Sequence, residues 1–117
     1  RSNKIKTYII ELMPLKLRKS NRPEKKWVAR DGKRTIHFGQ KNARDFTLIN
    51  KPTSTHYIPE RAEREKVKKA YQSRHAKDNL DNPFSPGALS YYILWSAPTM
   101  RGGIRNYEKR FNIKVEI

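Results

Sequence analysis

Apolar side chains are concentrated in residues 82–111, and their spacing predicts two helices there. Ser85 suits an N-cap, and Pro86 suits the first turn of a helix because the missing proline N–H needs no partner at that position. Pro98 disfavours helical geometry in the residue before it, so the first helix is expected over 86–96. Its apolar positions are Leu89, Tyr92, Ile93, Leu94 and Trp95.

A second helix is predicted over 99–111, with Thr99 as its cap. Its apolar residues fall at i, i+4, i+7 and i+11 and therefore form one stripe. These residues are Met100, Ile104, Tyr107 and Phe111. Adjacent glycines, Gly102 and Gly103, cost this helix roughly 1 kcal/mol each relative to alanine, and close approach of another backbone is the simplest compensation.

Two interpretations of this apolar region stay open. It forms the hydrophobic core, or one face of it, made by Tyr91, Tyr92 and Trp95, docks on a partner protein. A helix that is apolar nearly all round must be buried on both sides, and a small chain has little material with which to do so.

Shorter apolar runs earlier in the chain predict a small sheet. Residues 4–13 are rich in β-forming side chains, and 26–39 contains an Asp31-Gly32 pair that favours a tight hairpin turn with positive φ. The register would place either Val28 with Ile36 or Trp27 with His37 on a common face. His37 is interpreted as a half-exposed strand residue rather than a ligand, and Gly39 as an exit from the strand or a bulge.

Two further segments are ambiguous or weakly patterned. Residues 42–49 suit a short strand or an apolar tether across the core, and 112–117 alternate apolar and polar residues as an additional strand would. Residues 14–26 are basic and poor in apolar side chains, which predicts an arm or loop. Such an arm is either simply solvated or lies along phosphates or an acidic groove.

The segment 59–77 is predicted to be an amphipathic helix, with acidic residues in its first turns and basic ones later. Its narrow inner stripe is expected to comprise Ala62, Val67, Ala70, Tyr71 and Arg74. Its outward basic residues are expected to be Arg64, Lys66, Lys68 and Lys69. That basic face is either solvated or docks on an acidic partner.

Together these elements predict an α+β fold in a single domain spanning 1–117. A small antiparallel sheet would pack against about three helices. Its strands would be the N-terminal strand, the 26–39 hairpin and the C-terminal strand. The helices would span 59–77, 86–96 and 99–111.

The net charge of +16 over 117 residues is the strongest global property of the chain. So basic a domain repels itself and calls for an acidic counterpart, whether nucleic acid, a lipid headgroup surface or an acidic protein. Only 35% of the residues are hydrophobic, which limits the core. No run approaches the ~20 apolar residues of a membrane span, so a transmembrane protein is not expected.

No catalytic or metal-binding motif stands out. His37, His56 and His75 are widely spaced, there are no cysteines, and no phosphate-binding loop or nucleophile elbow is present. Neither an enzymatic activity nor a cofactor is expected. The basic segments suit non-specific association with DNA, but no helix-turn-helix, zinc finger or aromatic RNA-binding pattern supports reading of a base sequence.

An ordered series of short motifs between about Lys25 and Ile113 resembles a family of small basic proteins of large double-stranded DNA viruses of algae and amoebae, such as chloroviruses and mimivirus-like viruses. Ser73–Lys77 keeps only part of a helix that is dense in arginine and histidine in that family. The motifs are Trp27-Val28, Asp31-Gly32-Lys33, Ile36-His37-Phe38-Gly39, Tyr57-Ile58, Arg74-His75, Ala88-Leu89-Ser90, Leu94-Trp95, Pro98-Thr99 and Arg110-Phe111-Asn112.

The resemblance implies a virion component that is made in the host cytoplasm and carries no catalytic residues. The expected role is a minor capsid protein of the inner capsid layer, which links major capsid capsomers and contacts other minor capsid proteins. An acidic membrane surface or DNA stays open as a further partner, and the alternative role is a basic protein bound to the packaged genome. The basic residues expected to make contacts are Lys16, Arg18, Lys19, Arg22, Lys25, Arg64 and Lys68.

Overall fold

The computed structural model describes residues 13–117 and has the α+β architecture that the sequence predicts. Four strands form one sheet in the order β3-β2-β1-β4. The β1–β2 and β2–β3 pairs are antiparallel and the β1–β4 pair is parallel, so the sheet is mixed rather than antiparallel. The strands are β1 (Leu15–Lys19), β2 (Lys25–Arg30), β3 (Thr35–Gln40) and β4 (Val115–Glu116).

The prediction of a basic arm or loop at 14–26 is wrong over the span of β1. Leu15 and Leu17 alternate with basic residues, and each is only 1% exposed because it points into the core. β1 is an inner strand of the sheet, between β2 and the short β4. Only the turn before β2 has the exposed, loop-like character expected of the whole segment. The strand predicted over 4–13 lies almost entirely outside the described residues.

The predicted hairpin is confirmed, although its turn and register differ from expectation. One carboxylate oxygen of Asp31 accepts hydrogen bonds from the backbone N–H groups of Lys33 and Arg34, both at 2.8 Å, which organises a four-residue loop. With this bonding the turn does not require positive φ at Gly32. Trp27 lies opposite Phe38, so neither of the two predicted face pairings occurs.

Residues Phe46–Ile49 form a short helix, α1, and not the strand that the pattern also allowed. Asp45 caps this helix, because its Oδ1 accepts a hydrogen bond from the Leu48 N–H at 2.9 Å. Phe46 and Ile49 are buried, so this short helix contributes two side chains to the core.

The predicted 59–77 helix is confirmed as α2 (Arg61–His75), but its inner stripe is wrong in part. Val67 and Tyr71 pack against the core, whereas Ala62, Ala70 and Arg74 are exposed. No residue of α2 is fully buried. The helix therefore lies on the surface and contacts the core with a narrow face.

The C-terminal helices form near their predicted bounds. The first begins as α3 (Pro86–Leu89), capped by Ser85, and continues as a π-helix over Ser90–Leu94. The second is α4 (Met100–Phe111), in which the Thr99 hydroxyl accepts a hydrogen bond from the Gly102 N–H at 3.1 Å.

The core lies between the sheet and these C-terminal helices. The α4 stripe faces it as predicted, with Ile104 and Tyr107 buried and Met100 and Phe111 packed at its margin. Gly103 is where α4 meets the π-helix, since a Cβ there would lie 2.8 Å from the Tyr92 carbonyl oxygen. The close backbone approach predicted from the glycine pair is confirmed.

Candidate functional site

The sheet face that points away from the core carries a row of basic side chains. Lys16 on β1 lies opposite Arg30 on β2, and Arg18 lies opposite Val28, which in turn lies opposite His37. Cross-strand partners share a face, so these side chains project together. Lys16, Arg18, Arg30 and His37 are called the outer basic face below.

The surroundings of His37 on this face disfavour the protonated form of its imidazole. Burial lowers the pKa of its imidazole below the ordinary 6.5, and the positive charges of Arg22 and Arg30 lower it further. Its Nδ1 lies 2.7 Å from the hydroxyl oxygen of Ser20. His37 is half-exposed in a strand, as predicted. Burial, and after it the neighbouring positive charges, therefore oppose protonation of His37.

Among the described residues, few acidic side chains lie on this face. Glu116 on β4 lies beside Lys16, and Thr35 lies on the far side of Arg30. No ion pair joins Lys16, Arg18 or Arg30 to an acid within residues 13–117. The face thus presents three cations beside the Glu116 carboxylate, and Glu24 lies close enough to oppose the lowering of the His37 pKa.

Two of the predicted basic contact residues bind their own chain instead. The Arg64 guanidinium donates hydrogen bonds to the carbonyl oxygens of Ile58 at 2.7 Å and Pro59 at 2.8 Å. The Lys68 ammonium donates to the Ser96 carbonyl oxygen at 3.1 Å. Both side chains are half-buried, so their assignment to the outward face of α2 is wrong.

The other predicted basic residues lie in different places. Lys16 and Arg18 belong to the outer basic face, and Arg22 is exposed in the turn that follows β1. Lys25 is half-buried at the start of β2. Lys19 lines a separate groove, described below. Arg30, which the sequence did not single out, completes the outer basic face.

The predicted aromatic interface is not one surface. Trp95 is 6% exposed and stacks on Tyr71, with ring centroids 4.0 Å apart and planes 5° apart. Its assignment to a docking surface is therefore wrong, because the chain itself covers it. Tyr91 and Tyr92 remain half-exposed, and Tyr92 packs edge-on against Phe111 at 5.3 Å.

A groove of about 970 Å³ opens on another part of the molecule. We call it the lysine groove and define it by Lys19, Lys26, Lys41, Lys51, Trp27 and Met100, together with the hydroxyl-bearing residues 53–55. Its walls come from the ends of β1 and β2, the link to α1, the loop after α1 and the start of α4. Segments distant in the sequence therefore meet here.

Asp45 holds the floor of the lysine groove in place. Its Oδ2 accepts a hydrogen bond from the Lys26 ammonium at 2.8 Å, while its Oδ1 accepts one from the Thr47 hydroxyl at 2.6 Å. Because Asp45 is paired with Lys26, it does not neutralise the charges of Lys19, Lys41 and Lys51. These three side chains are exposed, and none pairs with an acid in the described part of the chain.

Neither a metal centre nor a membrane span is found within residues 13–117. Among these residues, no three histidine, aspartate or glutamate side chains lie close enough together to hold a metal ion. No helix described there has the length and apolar content needed to cross a bilayer.

Comparison with known proteins gives one partial match. Residues 15–51 match the model of a family of unknown function (DUF5754). The matched segment contains β1, the hairpin and α1, and so includes the outer basic face and the four lysines of the groove. No curated protein and no solved structure matches the chain.

Proposed function

We propose that this protein is a non-enzymatic structural protein of a virion, a minor capsid protein that links major capsid capsomers on the inner face of an icosahedral shell. The viral setting rests on the motif resemblance of residues 25–113. The position of the basic charge on the fold supports the linking role.

The observation that carries the proposal is the direct pairing of Lys16 with Arg30 across β1 and β2. Like charges in directly opposed positions destabilise a sheet, whereas opposite charges stabilise it by roughly 0.2–1 kcal/mol per pair. An acidic surface laid over both residues would turn the repulsion into attraction. Glu116, on the other side of Lys16, offsets part of this cost in the isolated fold, and an acidic partner would remove the rest.

The fold also favours a protein partner over packaged DNA. Packaging proteins usually spread lysines along disordered tails, whereas here the cations project from strands whose opposite face is the core. A fixed array of charges suits a partner with an equally fixed acidic surface, since electrostatic complementarity sets register and specificity.

Co-sedimentation with assembled major capsid protein tests the proposal. We expect the wild-type chain to co-sediment with the shells and the double substitution K16E/R30E to lose this association. The matched control is K66E/K69E, which makes the same charge change on two exposed positions of α2 and should retain it. Equal loss in both variants would contradict a specific role for the outer basic face.

Binding to random-sequence duplex DNA addresses the alternative, a protein bound to the genome. A steep fall of affinity with salt would reflect contacts with several phosphates. If K16E/R30E abolished that binding while shell association was absent from the wild type, the capsid assignment would be wrong.

A further inference from the structure

The lysine groove combines unpaired positive charge with an apolar surface. Lys19, Lys41 and Lys51 bring three cations to its margin, and the one carboxylate in its lining, that of Asp45, is already bound to Lys26. Trp27, Pro98 and Met100 contribute apolar surface to the same groove. A ligand that suits it carries negative charge together with a flat apolar part.

Hydrogen-bonding groups occur beside the charges. Thr53, Ser54 and Thr55 line the groove, and the loop that holds them is ordered by a hydrogen bond from the Ser54 N–H to the Lys51 carbonyl oxygen at 2.9 Å. Hydroxyl and ammonium donors together are typical ligands of phosphate oxygens. Lysine in particular binds phosphate as a compact point charge.

We propose that the lysine groove binds a nucleotide unit, with its phosphate on Lys41 and Lys51 and its base against Trp27. Aromatic side chains along a basic groove are the usual means by which proteins hold unpaired bases without reading their sequence. The volume of about 970 Å³ is at the upper end of that found for small-molecule sites, so a nucleotide fits within it. The nucleotide is either free or part of a single strand.

This site is separate from the surface assigned to capsid binding. None of the four residues of the outer basic face lines the groove. Substitutions in the groove therefore test nucleotide binding without altering the proposed capsid contact, and either proposal can fail alone.

Fluorescence anisotropy with a labelled oligothymidylate tests the charge contacts. We expect K41Q/K51Q to weaken binding about tenfold and to reduce the slope of log affinity against log salt by about 0.7, since the two lysines share one phosphate and each single-strand phosphate contributes about 0.7. The control K66Q/K69Q has the same net charge but changes only exposed positions on α2. An equal loss in the control would overturn the proposal.

Quenching of tryptophan fluorescence tests the base contact in the unaltered protein. Trp27 lines the groove, whereas Trp95 is buried, so bound bases should quench the Trp27 contribution. W27L should weaken oligothymidylate binding about tenfold, once its circular dichroism shows that it is folded. Absence of quenching at saturation would contradict stacking on Trp27.

Competition identifies the source of the nucleotide. Adenosine monophosphate that displaces the oligothymidylate with similar affinity indicates a free nucleotide, and much weaker displacement indicates a single strand. Both results uphold the site. Displacement by polyglutamate as effective as that by unlabelled oligothymidylate would instead identify an acidic peptide ligand and overturn the proposal.

Discussion

The backbone of Gly103 on α4 packs directly against the carbonyl group of Ile93 in the π-helix. A Cβ added at Gly103 would lie 2.7 Å from the Ile93 carbonyl carbon and would overlap its oxygen. The obstructing atoms belong to the backbone, so they cannot rotate away. We predict that G103A lowers the free energy of unfolding by about 3 kcal/mol, because overpacking against a fixed neighbour forces the helices apart.

Gly102 provides the matched control for this prediction. A Cβ there would meet the Ala97 Cβ at 2.9 Å and the Thr99 hydroxyl at 3.2 Å, which is a milder overlap than the one at Gly103, although the Ala97 Cβ moves only with its backbone. Alanine also gains about 1 kcal/mol of helix propensity at this position. Urea denaturation should therefore show a much smaller loss for G102A, and equal losses in the two variants would contradict the backbone contact.

The ion pair between Lys26 and Asp45 is predicted to stabilise the fold strongly. Its side chains are 13% and 4% exposed, and Asp45 also caps α1. D45N leaves the half-buried Lys26 ammonium with the Ala43 carbonyl oxygen, at 2.5 Å, but with no carboxylate to balance its charge, which should cost about 3–5 kcal/mol in urea denaturation. The exposed pair Arg110–Asp81 is the comparison, and D81N should cost less than about 1 kcal/mol. A loss as small as that of D81N would contradict a strong contribution from the Lys26–Asp45 pair.

Stability should depend on pH through His37. Because its pKa in the folded state lies below the ordinary 6.5, the unfolded chain binds the proton more tightly. The free energy of unfolding should therefore be unaffected by His37 above about pH 7 and fall as the pH decreases through 6.5. The measurement compares wild type with H37Q at a series of pH values, and the wild type should lose more stability on acidification. Parallel curves for the two proteins would contradict a lowered pKa of His37 in the folded state.

Local signals predicted α2, the two C-terminal helices and the hairpin because their causes are local, whereas α1 was not predicted. Pro86, Ser85 and Thr99 mark helix starts, and the Asp31 carboxylate organises the hairpin loop through bonds within four residues. The strand β1 was missed because its leucines are outnumbered by basic residues. Its period-two alternation, Leu-Lys-Leu-Arg-Lys, was the signal that could have identified it.

The sites were harder to predict because they depend on how elements are rotated and assembled. The rotation of α2 about its axis turns Arg64 and Lys68 toward the chain's own carbonyl groups. Periodicity alone did not determine that rotation, because the helix has so few apolar side chains. The residues that line the lysine groove lie in separate segments between Lys19 and Met100, so no contiguous sequence motif predicts it. Arg30 joined the outer basic face through strand register, which the turn did not fix in advance.

Stepwise dismantling of purified particles tests the central claim, that this protein is a component of the capsid shell, most directly. The measurement follows the protein by immunoblot while the genome is released first and the shell is dissociated afterwards. A minor capsid protein should stay with the major capsid protein after the DNA has been removed. Release of this protein together with the DNA, from shells that remain intact, would contradict the claim.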